Sequence, residues 1–447
     1  MEPLKRIVIV GGGFGGLYLA RALRKSPVQL TLVDRRNFHL FKPLLYQVAT
    51  GALSPANIAA PLRALLRKQR NTQVLLAEAT GVDAVGRRVL TDNGSIDYDV
   101  LVLAAGSTFD YFGRDDWQPL APGLKTVEDA TDIRGRILTA FERAERLEQP
   151  AEIGAWLTFV IVGGGATGVE MAGSLAEVAR YTLRHDFRTI HPEDAQILLV
   201  EAQTRVLGAY PEELSHRAAE SLARLGVTVR TGSTVTNVQP DSVTLRTADR
   251  EQIVPTRTVI WTAGVKASPL GQQLAMCSAV PVDRGGRIVV QGDLTVPGFP
   301  DIFVIGDMAH VTGPDGQPLP GVAPVAMQQG KYVARTIRNR LAEKTTPAFA
   351  YRNRGNLATI GRSMAVADLG WVRFSGFLAW LVWLFVHLMY IVQFQNRVLV
   401  LTQWAWNYFT RNRSARLITD GHMPEAQTEP LECPVGSTAP STGESQG

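Results

Sequence analysis

The 447-residue chain is 45% apolar and 19% charged, with a net charge of +5. That suffices for two or three domains with cores of their own, and the modest charge, without a long Lys/Arg block, gives no sign of a nucleic-acid partner. Its two cysteines, Cys277 and Cys433, lie far apart with no CxxC; this excludes a redox dithiol or Cys-rich zinc site of the usual spacing, and no metal is expected.

The first apolar segment, "RIVIV", starts about four residues in, which leaves no room for a signal or transit peptide. It reads as a buried parallel-type strand running into "GGGFGG", Gly11 to Gly16, and then a helix-like stretch. Gly11, Gly13 and Gly16 fit the pattern GxGxxG. There the first glycine makes a tight turn, the second lets a pyrophosphate approach the backbone, and the third lets helix and strand pack closely. The helix start offers free N–H groups and a positive dipole end to phosphates. Asp34 ends the next strand, "VQLTLVD", 18 residues past Gly16, where a carboxylate can accept from ribose hydroxyls. A meander with a "DNG" turn follows and closes on the buried strand "VLVLAAGS".

Residues from about 157 to 265 repeat the plan. "TFVIV" runs into "GGGATG", with Gly163, Gly165 and Gly168 in the glycine positions, and "TVIWTAGV" closes the unit as "VLVLAAGS" closes the first. The matching acid is Glu201, 33 residues past Gly168; the insert "YTLRHDFRTIHPED" extends this crossover. Glu201 would repel a 2′-phosphate and favours NADH over NADPH, while nearby Arg205 weakens that inference and leaves strict preference open. Two dinucleotide sites suggest a relay between a diffusing hydride carrier and a retained flavin, with the N-terminal site the better FAD candidate. "FPDIFVIGDMAHV" adds a buried strand ending in Gly306-Asp307. Asp307 is suited either to hold ribityl or ribose hydroxyls or to cap the following turn.

Phe374 to Asn396 is 23 residues without Lys, Arg, Asp or Glu. As one helix it would be about 34 Å long, against about 30 Å for a bilayer core. Trp380, Trp383, His387, Tyr390 and Phe394 share one face, and Leu378, Leu381, Leu384, Leu388 and Val392 the other. Arg397, Arg411, Arg413 and Arg416 follow without an acid before Asp420, which disfavours a span. With Trp404, Trp406, Tyr408 and Phe409, residues 374–418 read as a two-helix surface anchor whose arginines meet anionic lipid. A buried core role and a spanning helix remain the alternatives. From about 421 onward, composition predicts a disordered tail.

These pieces resemble the two-dinucleotide-binding flavoproteins. More narrowly, the chain resembles the type II NADH dehydrogenases, single-subunit NADH:quinone oxidoreductases. The narrower likeness rests on "FHLFKPLLYQVATGALSP", "PVAMQQGKYVA" and "GNLATIGRSMAVADL", beside "VGGGATGVEMAGSLAE", "IWTAGVKASP" and "VIGDMAHV". It implies two Rossmann-like α/β domains, the FAD domain interrupted by the NADH domain, and a C-terminal helical membrane-anchoring region. The expected bounds are 1–115 and 271–345 for FAD, 116–156 for a connecting helical segment and 157–270 for NADH. The anchor takes 346–420 and the tail 421–447.

The resemblance assigns FAD to Gly11, Gly13, Phe14, Gly15, Gly16, Asp34, Arg35, Pro43, Leu44, Tyr46, Thr50, Gly106, Asp307 and Ala323. It assigns NADH to Gly163, Gly165, Thr167, Gly168, Glu201 and Gly264. Glu170 matches a glutamate placed near nicotinamide and flavin; its plainer reading is a first-turn carboxylate favoured by the helix dipole. The family's AQxxxQ motif falls on Ala323 to Gln328, with Pro324 in place of the first glutamine. Glu170 and Gln328 are the catalytic candidates, and Gln328, Trp380 and His387 the quinone-site candidates. The implied enzyme is a non-proton-pumping NADH:quinone oxidoreductase, a homodimer on the cytoplasmic face of a bacterial inner membrane. A soluble reductase of a protein acceptor and a non-enzymatic NADH sensor are the alternatives.

Overall fold

The computed structural model describes residues 4–248 and 250–418; the tail expected at 421–447 lies outside them. The chain opens with strand β1, Lys5–Val10, helix α1, Phe14–Ala22, and strand β2, Val28–Asp34. Short helices α2, Leu45–Ala49, and α3, Leu62–Leu66, precede strands β3, Thr72–Leu76, and β4, Val100–Leu103. An antiparallel meander lies between β3 and β4. Helix α4, Val127–Ala144, leads to strand β5, Thr158–Val162, helix α5, Ala166–Glu177, and strands β6, Gln196–Val200, β7, Val227–Arg230, and β8, Thr258–Trp261. Strands β9, Thr295–Val296, and β10, Phe299–Val304, precede helix α6, Ala323–Leu341.

Two sheets result. The first has the order β9-β10-β4-β1-β2-β3, so the late pair β9–β10 completes a sheet begun at residue 5. The second has the order β7-β6-β5-β8 and comes wholly from the middle of the chain. All neighbours are parallel except β9 and β10. Their sequences are continuous apolar runs because both faces are covered: all five residues of β5 and the last four of β1 are buried. The registers align the strand ends. Val10 pairs with Val33 and Leu103, and Leu103 with Val304; in the second sheet Val162 pairs with Val200 and Trp261. Each sheet therefore presents its glycine turn, its acid and its closing turn along one carboxyl edge, where open α/β sheets bind ligands.

The C-terminal part forms an antiparallel sheet of β11, Asn356–Thr359, β12, Ala365–Asp368, and β13, Arg373–Gly376, then helices α7, Phe377–Tyr390, and α8, Phe394–Thr410. The expectation of one helix over 374–396 is corrected here. Residues 373–376 belong to a strand, and the helix stops at Tyr390 because Ile391 is extended (φ −61°, ψ 128°) and buried. Arg397 Nε donates to the Ile391 carbonyl at 2.8 Å, and Asn396 donates to the Ala56 carbonyl at 3.1 Å, which pins the corner to the body. No helix among the described residues is long and apolar enough to cross a membrane.

Both helices pack on one side and leave an apolar stripe uncovered: Leu378, Leu381, Phe385 and Met389 on α7, and Phe394, Val398, Leu401 and Phe409 on α8. Of the expected aromatic residues, Trp383 and Trp404 are buried against protein, whereas Phe394, Trp406 and Phe409 are exposed. The arginines do not uniformly face outward as expected. Arg413 is buried and paired with Glu177 at 2.9 Å, and Arg416 pairs with Asp186. A guanidinium this deep has to meet an internal carboxylate.

Candidate active site

The two glycine turns are built alike. Gly11 has φ +108°, as has Gly163. A Cβ on Gly11 would lie 2.3 Å from the Ala104 carbonyl oxygen, and one on Gly163 2.7 Å from the Ala263 nitrogen, so each turn sits hard against the next strand's exit. A Cβ on Gly16 would meet the Gly11 carbonyl oxygen at 1.9 Å, and one on Gly168 the Gly163 carbonyl oxygen at 1.8 Å. These are the close helix–strand contacts that the third glycine permits. At Gly13 and Gly165 a Cβ would meet nothing within 4 Å. Neither helix has a side-chain cap at its start, so first-turn N–H groups face open space. Thr167 is exposed in the first turn of α5.

The acids also match. Asp34 accepts from the Gly12 N–H at 2.6 Å and the Arg36 N–H at 2.7 Å; Glu201 accepts from the Gly164 N–H at 2.5 Å and the Gln203 N–H at 2.7 Å. Burial raises the Asp34 carboxyl, opposed by the two N–H donors. The long gap before Glu201 is taken up between α5 and β6 without displacing the acid. Arg205 donates to the Gly208 carbonyl at 3.1 Å, away from the Glu201 carboxylate. Gly264 turns beside Asp110, whose carbonyl oxygen would lie 2.6 Å from a Cβ there.

Around the first turn, Phe14 packs edge-on to His39 and Phe41 at 5.0 and 5.9 Å, and Gly15 fits under Ile305. Arg35 points outward to Glu78 at 3.4 Å. Pro43 and Leu44 form a single 3-10 turn before α2, with Leu44 fully buried. Gly106 has open space at its Cβ position. Asp307 accepts from Ser107 Oγ at 2.7 Å, and Ser107 in turn accepts from Lys125 Nζ at 2.7 Å. Burial, with Lys42 nearby, lowers Lys125 to about 8. Ala323 begins α6. The free space at Gly13 and Gly106 and the carboxylates of Asp34 and Asp307 fit the phosphate and hydroxyl contacts of a dinucleotide such as FAD.

Tyr46 and Thr50 lie deeper. The Tyr46 hydroxyl accepts from Gln47 at 2.9 Å, and Thr50 Oγ bonds the Tyr46 carbonyl and Ser174 Oγ at 2.9 and 2.8 Å. Glu170 is buried on α5 under β11. The nearest donor is the Thr359 N–H at 3.5 Å, and burial pushes the carboxyl up to about 8. A carboxyl so placed holds its proton at neutral pH. Burial also raises the Tyr46 hydroxyl, with Glu170 adding to it.

The quinone-site candidates separate. Gln328 exchanges two hydrogen bonds with the Arg352 backbone, at 3.0 and 3.1 Å, on an exposed surface. His387 stacks on Trp383 (4.3 Å) and meets Phe41 edge-on (6.3 Å); burial lowers its pKa to about 4, and its Nδ1–H donates to the Trp383 carbonyl at 2.8 Å. Trp380 lines a different space, a cavity of about 310 Å³ shared with Tyr46, Trp404 and Arg413. Pro324 falls in the first turn of α6, where the missing N–H costs no helix bond.

Three contributors were not anticipated. Gln329, beside the expected Gln328, is buried and accepts from the Gly306 N–H at 2.6 Å, holding the turn that carries Asp307. His39 is buried, donates from Nδ1 to the Gly12 carbonyl at 3.0 Å, and leaves Nε2 without a partner. Arg413 ties the C-terminal segment to α5. His39 and Gln329 each lie inside a segment of the family likeness, "FHLFKPLLYQVATG" and "PVAMQQGKYVA"; Arg413 lies in none of them.

The sequence matches two family models: pyridine nucleotide-disulphide oxidoreductase over residues 5–330, and NDH2 C-terminal domain over residues 353–412. It is 45% identical over 424 residues to the type II NADH:quinone oxidoreductase Ndh of Mycobacterium tuberculosis, covering 93% of this chain and 90% of that one. The chain belongs to the type II NADH:quinone oxidoreductase family. A Staphylococcus saprophyticus type II NADH:quinone oxidoreductase is 29% identical over 365 residues, covering 80% and 88%. The structure of NDH2 from Plasmodium falciparum in complex with NADH superposes with a TM-score of 0.85 at 20% identity, covering 92% of this chain and 99% of that one; this likeness is one of fold. A sulfide:quinone oxidoreductase from Aquifex aeolicus shares the fold more distantly, at a TM-score of 0.69 and 18% identity. The type II NADH:quinone oxidoreductase fold thus covers both sheets and the C-terminal helices.

Proposed function

We propose that this chain oxidises NADH and reduces a membrane quinone, with FAD at the first sheet's carboxyl edge and NADH at the second's. The paired construction of the two edges carries this reading: each has an open glycine turn, an uncapped helix start and a carboxylate held by the turn's own N–H. FAD held at the first edge would supply a two-electron acceptor for the hydride of NADH and a donor of both electrons to quinone, which takes up two protons as quinol forms. The chain itself binds and orients. Asp34 and Asp307 hold ribose and ribityl hydroxyls, and Glu201 holds the NADH ribose and disfavours a 2′-phosphate. Glu170, protonated at neutral pH, keeps a proton beside the nicotinamide face.

The quinone approaches from the side of α7, past His387 and Phe41. The uncovered stripes of α7 and α8 rest in the membrane surface, on its cytoplasmic side, and the enzyme works as a homodimer. The proposed reaction moves no protons across the bilayer, as the family resemblance implies. Arg413 is woven into the body, so point changes test attachment better than truncation of the C-terminal segment. Phe385→Glu with Phe409→Glu should release the enzyme from vesicles and leave NADH:ferricyanide activity intact. Persistent binding by that variant would refute the surface reading.

A further inference from the structure

A groove of about 680 Å³ lies between the end of α1, the end of α3 and the α7–α8 corner. It gathers Arg21, Arg24, Arg67 and Lys68, and no carboxylate lines it. None of the four cations has an ion-pair partner among the described residues. The remaining wall is the corner itself, including Phe394, which is 78% exposed and heads the apolar stripe of α8. The frame is fixed. Gln69 is buried and donates to the Ala20 carbonyl and to Thr72 Oγ, both at 2.7 Å, which ties the end of α3 to α1. Asn396 holds the corner through Ala56.

Four like charges without a counter-charge repel one another, and an anion entering the groove removes that cost. The groove also runs into the apolar stripe without a break, so its ligand carries a phosphate at one end and hydrocarbon at the other. We infer that it binds the headgroup phosphate of an anionic phospholipid in the bilayer on which α7 and α8 rest. The C-terminal arginines expected in this role are partly spent inside, in the Arg413–Glu177 and Arg416–Asp186 pairs. The lipid-facing cations come instead from the N-terminal half. The inference rests on the membrane-surface reading above.

The test uses the full-length, FAD-loaded enzyme sedimented with vesicles of phosphatidylcholine alone or mixed with phosphatidylglycerol. Wild type should prefer the anionic vesicles, and rising salt should erase the preference. Arg24→Gln, Arg67→Gln and Lys68→Gln combined should weaken binding to anionic vesicles on the order of a hundredfold. The same variant should bind phosphatidylcholine within about twofold of wild type and keep its NADH:ferricyanide rate. Replacing chloride by inorganic phosphate at equal ionic strength should not displace the enzyme. Equal binding of wild type to both vesicles, an unchanged preference in the triple variant, or displacement by free phosphate would overturn the inference. Loss of all vesicle binding by wild type would instead refute the membrane-surface reading beneath it.

Discussion

Arg413 Nη2 meets Glu177 at 2.9 Å while its Nη1 donates to Ser174 Oγ at 2.8 Å. One guanidinium near the end of the described chain therefore clamps the helix that begins at the second glycine turn. Ser174 passes the contact to Thr50 at 2.8 Å, and so to the segment beside the first turn. The C-terminal segment, the far end of α5 and the end of α2 are joined at this point. Arg413→Met should destabilise the fold by roughly 3–5 kcal/mol, because Glu177 is left without its partner in a largely buried site. Adding Glu177→Gln should recover part of the loss. Urea melts of the three variants check this.

Glu170 gives a pH signature. Its folded pKa, about 8, lies well above the ordinary carboxylate value, so the folded state binds the extra proton and loses stability as pH rises between the two values. Glu170→Gln removes that loss. Its melting temperature should match wild type near pH 5, exceed it increasingly up to pH 8, and stay ahead by a constant margin above that. A pH-independent gap would show that Glu170 ionises freely.

The glycine turns allow the nucleotide assignments to be separated. Gly13→Val has room in the protein but fills the space over the first turn, so the variant should fold and purify without its yellow colour. Gly165→Val should keep the flavin and raise the KM for NADH more than about tenfold, a loss of about 1.4 kcal/mol. Gly11→Ala should fail to fold, since its Cβ would overlap the Ala104 carbonyl. Absorbance at the flavin band and NADH titrations distinguish the three outcomes.

Neighbouring glutamines should behave differently. Gln329→Leu strands the Gly306 N–H in the interior and should cost roughly 1–3 kcal/mol, with weaker flavin retention. Gln328→Leu removes two exposed hydrogen bonds to the Arg352 backbone and should cost less than about 1 kcal/mol, with flavin retention and NADH binding nearly unchanged. Thermal melts, flavin absorbance and NADH titrations read both effects.

The doubly wound plan was legible because it is written locally: apolar runs, glycine spacing and strand-ending acids such as Asp34 and Glu201 need no distant information. That residues 299–304 form a buried strand was legible for the same reason, but their return to the first sheet beside residues 101–103 was implied only by the family resemblance. The break at Ile391 was not legible. No glycine or proline marks it, and the helix stops there because Arg397 and Asn396 tie the corner to the body. Nor did composition separate Arg413 from the arginines around it, since its partner lies 236 positions away. The expectation fell on Gln328 and not Gln329 because the AQxxxQ motif ends at Gln328, and a motif match does not say which of two adjacent amides turns inward.

The most direct measurement is anaerobic stopped-flow absorbance of the purified yellow protein. Mixing with NADH should bleach the flavin band within the time of one turnover, and subsequent addition of a quinone should restore it at a rate matching steady-state turnover. Flavin that stays oxidised in the presence of NADH, or that bleaches and is not reoxidised by quinone, would contradict the account.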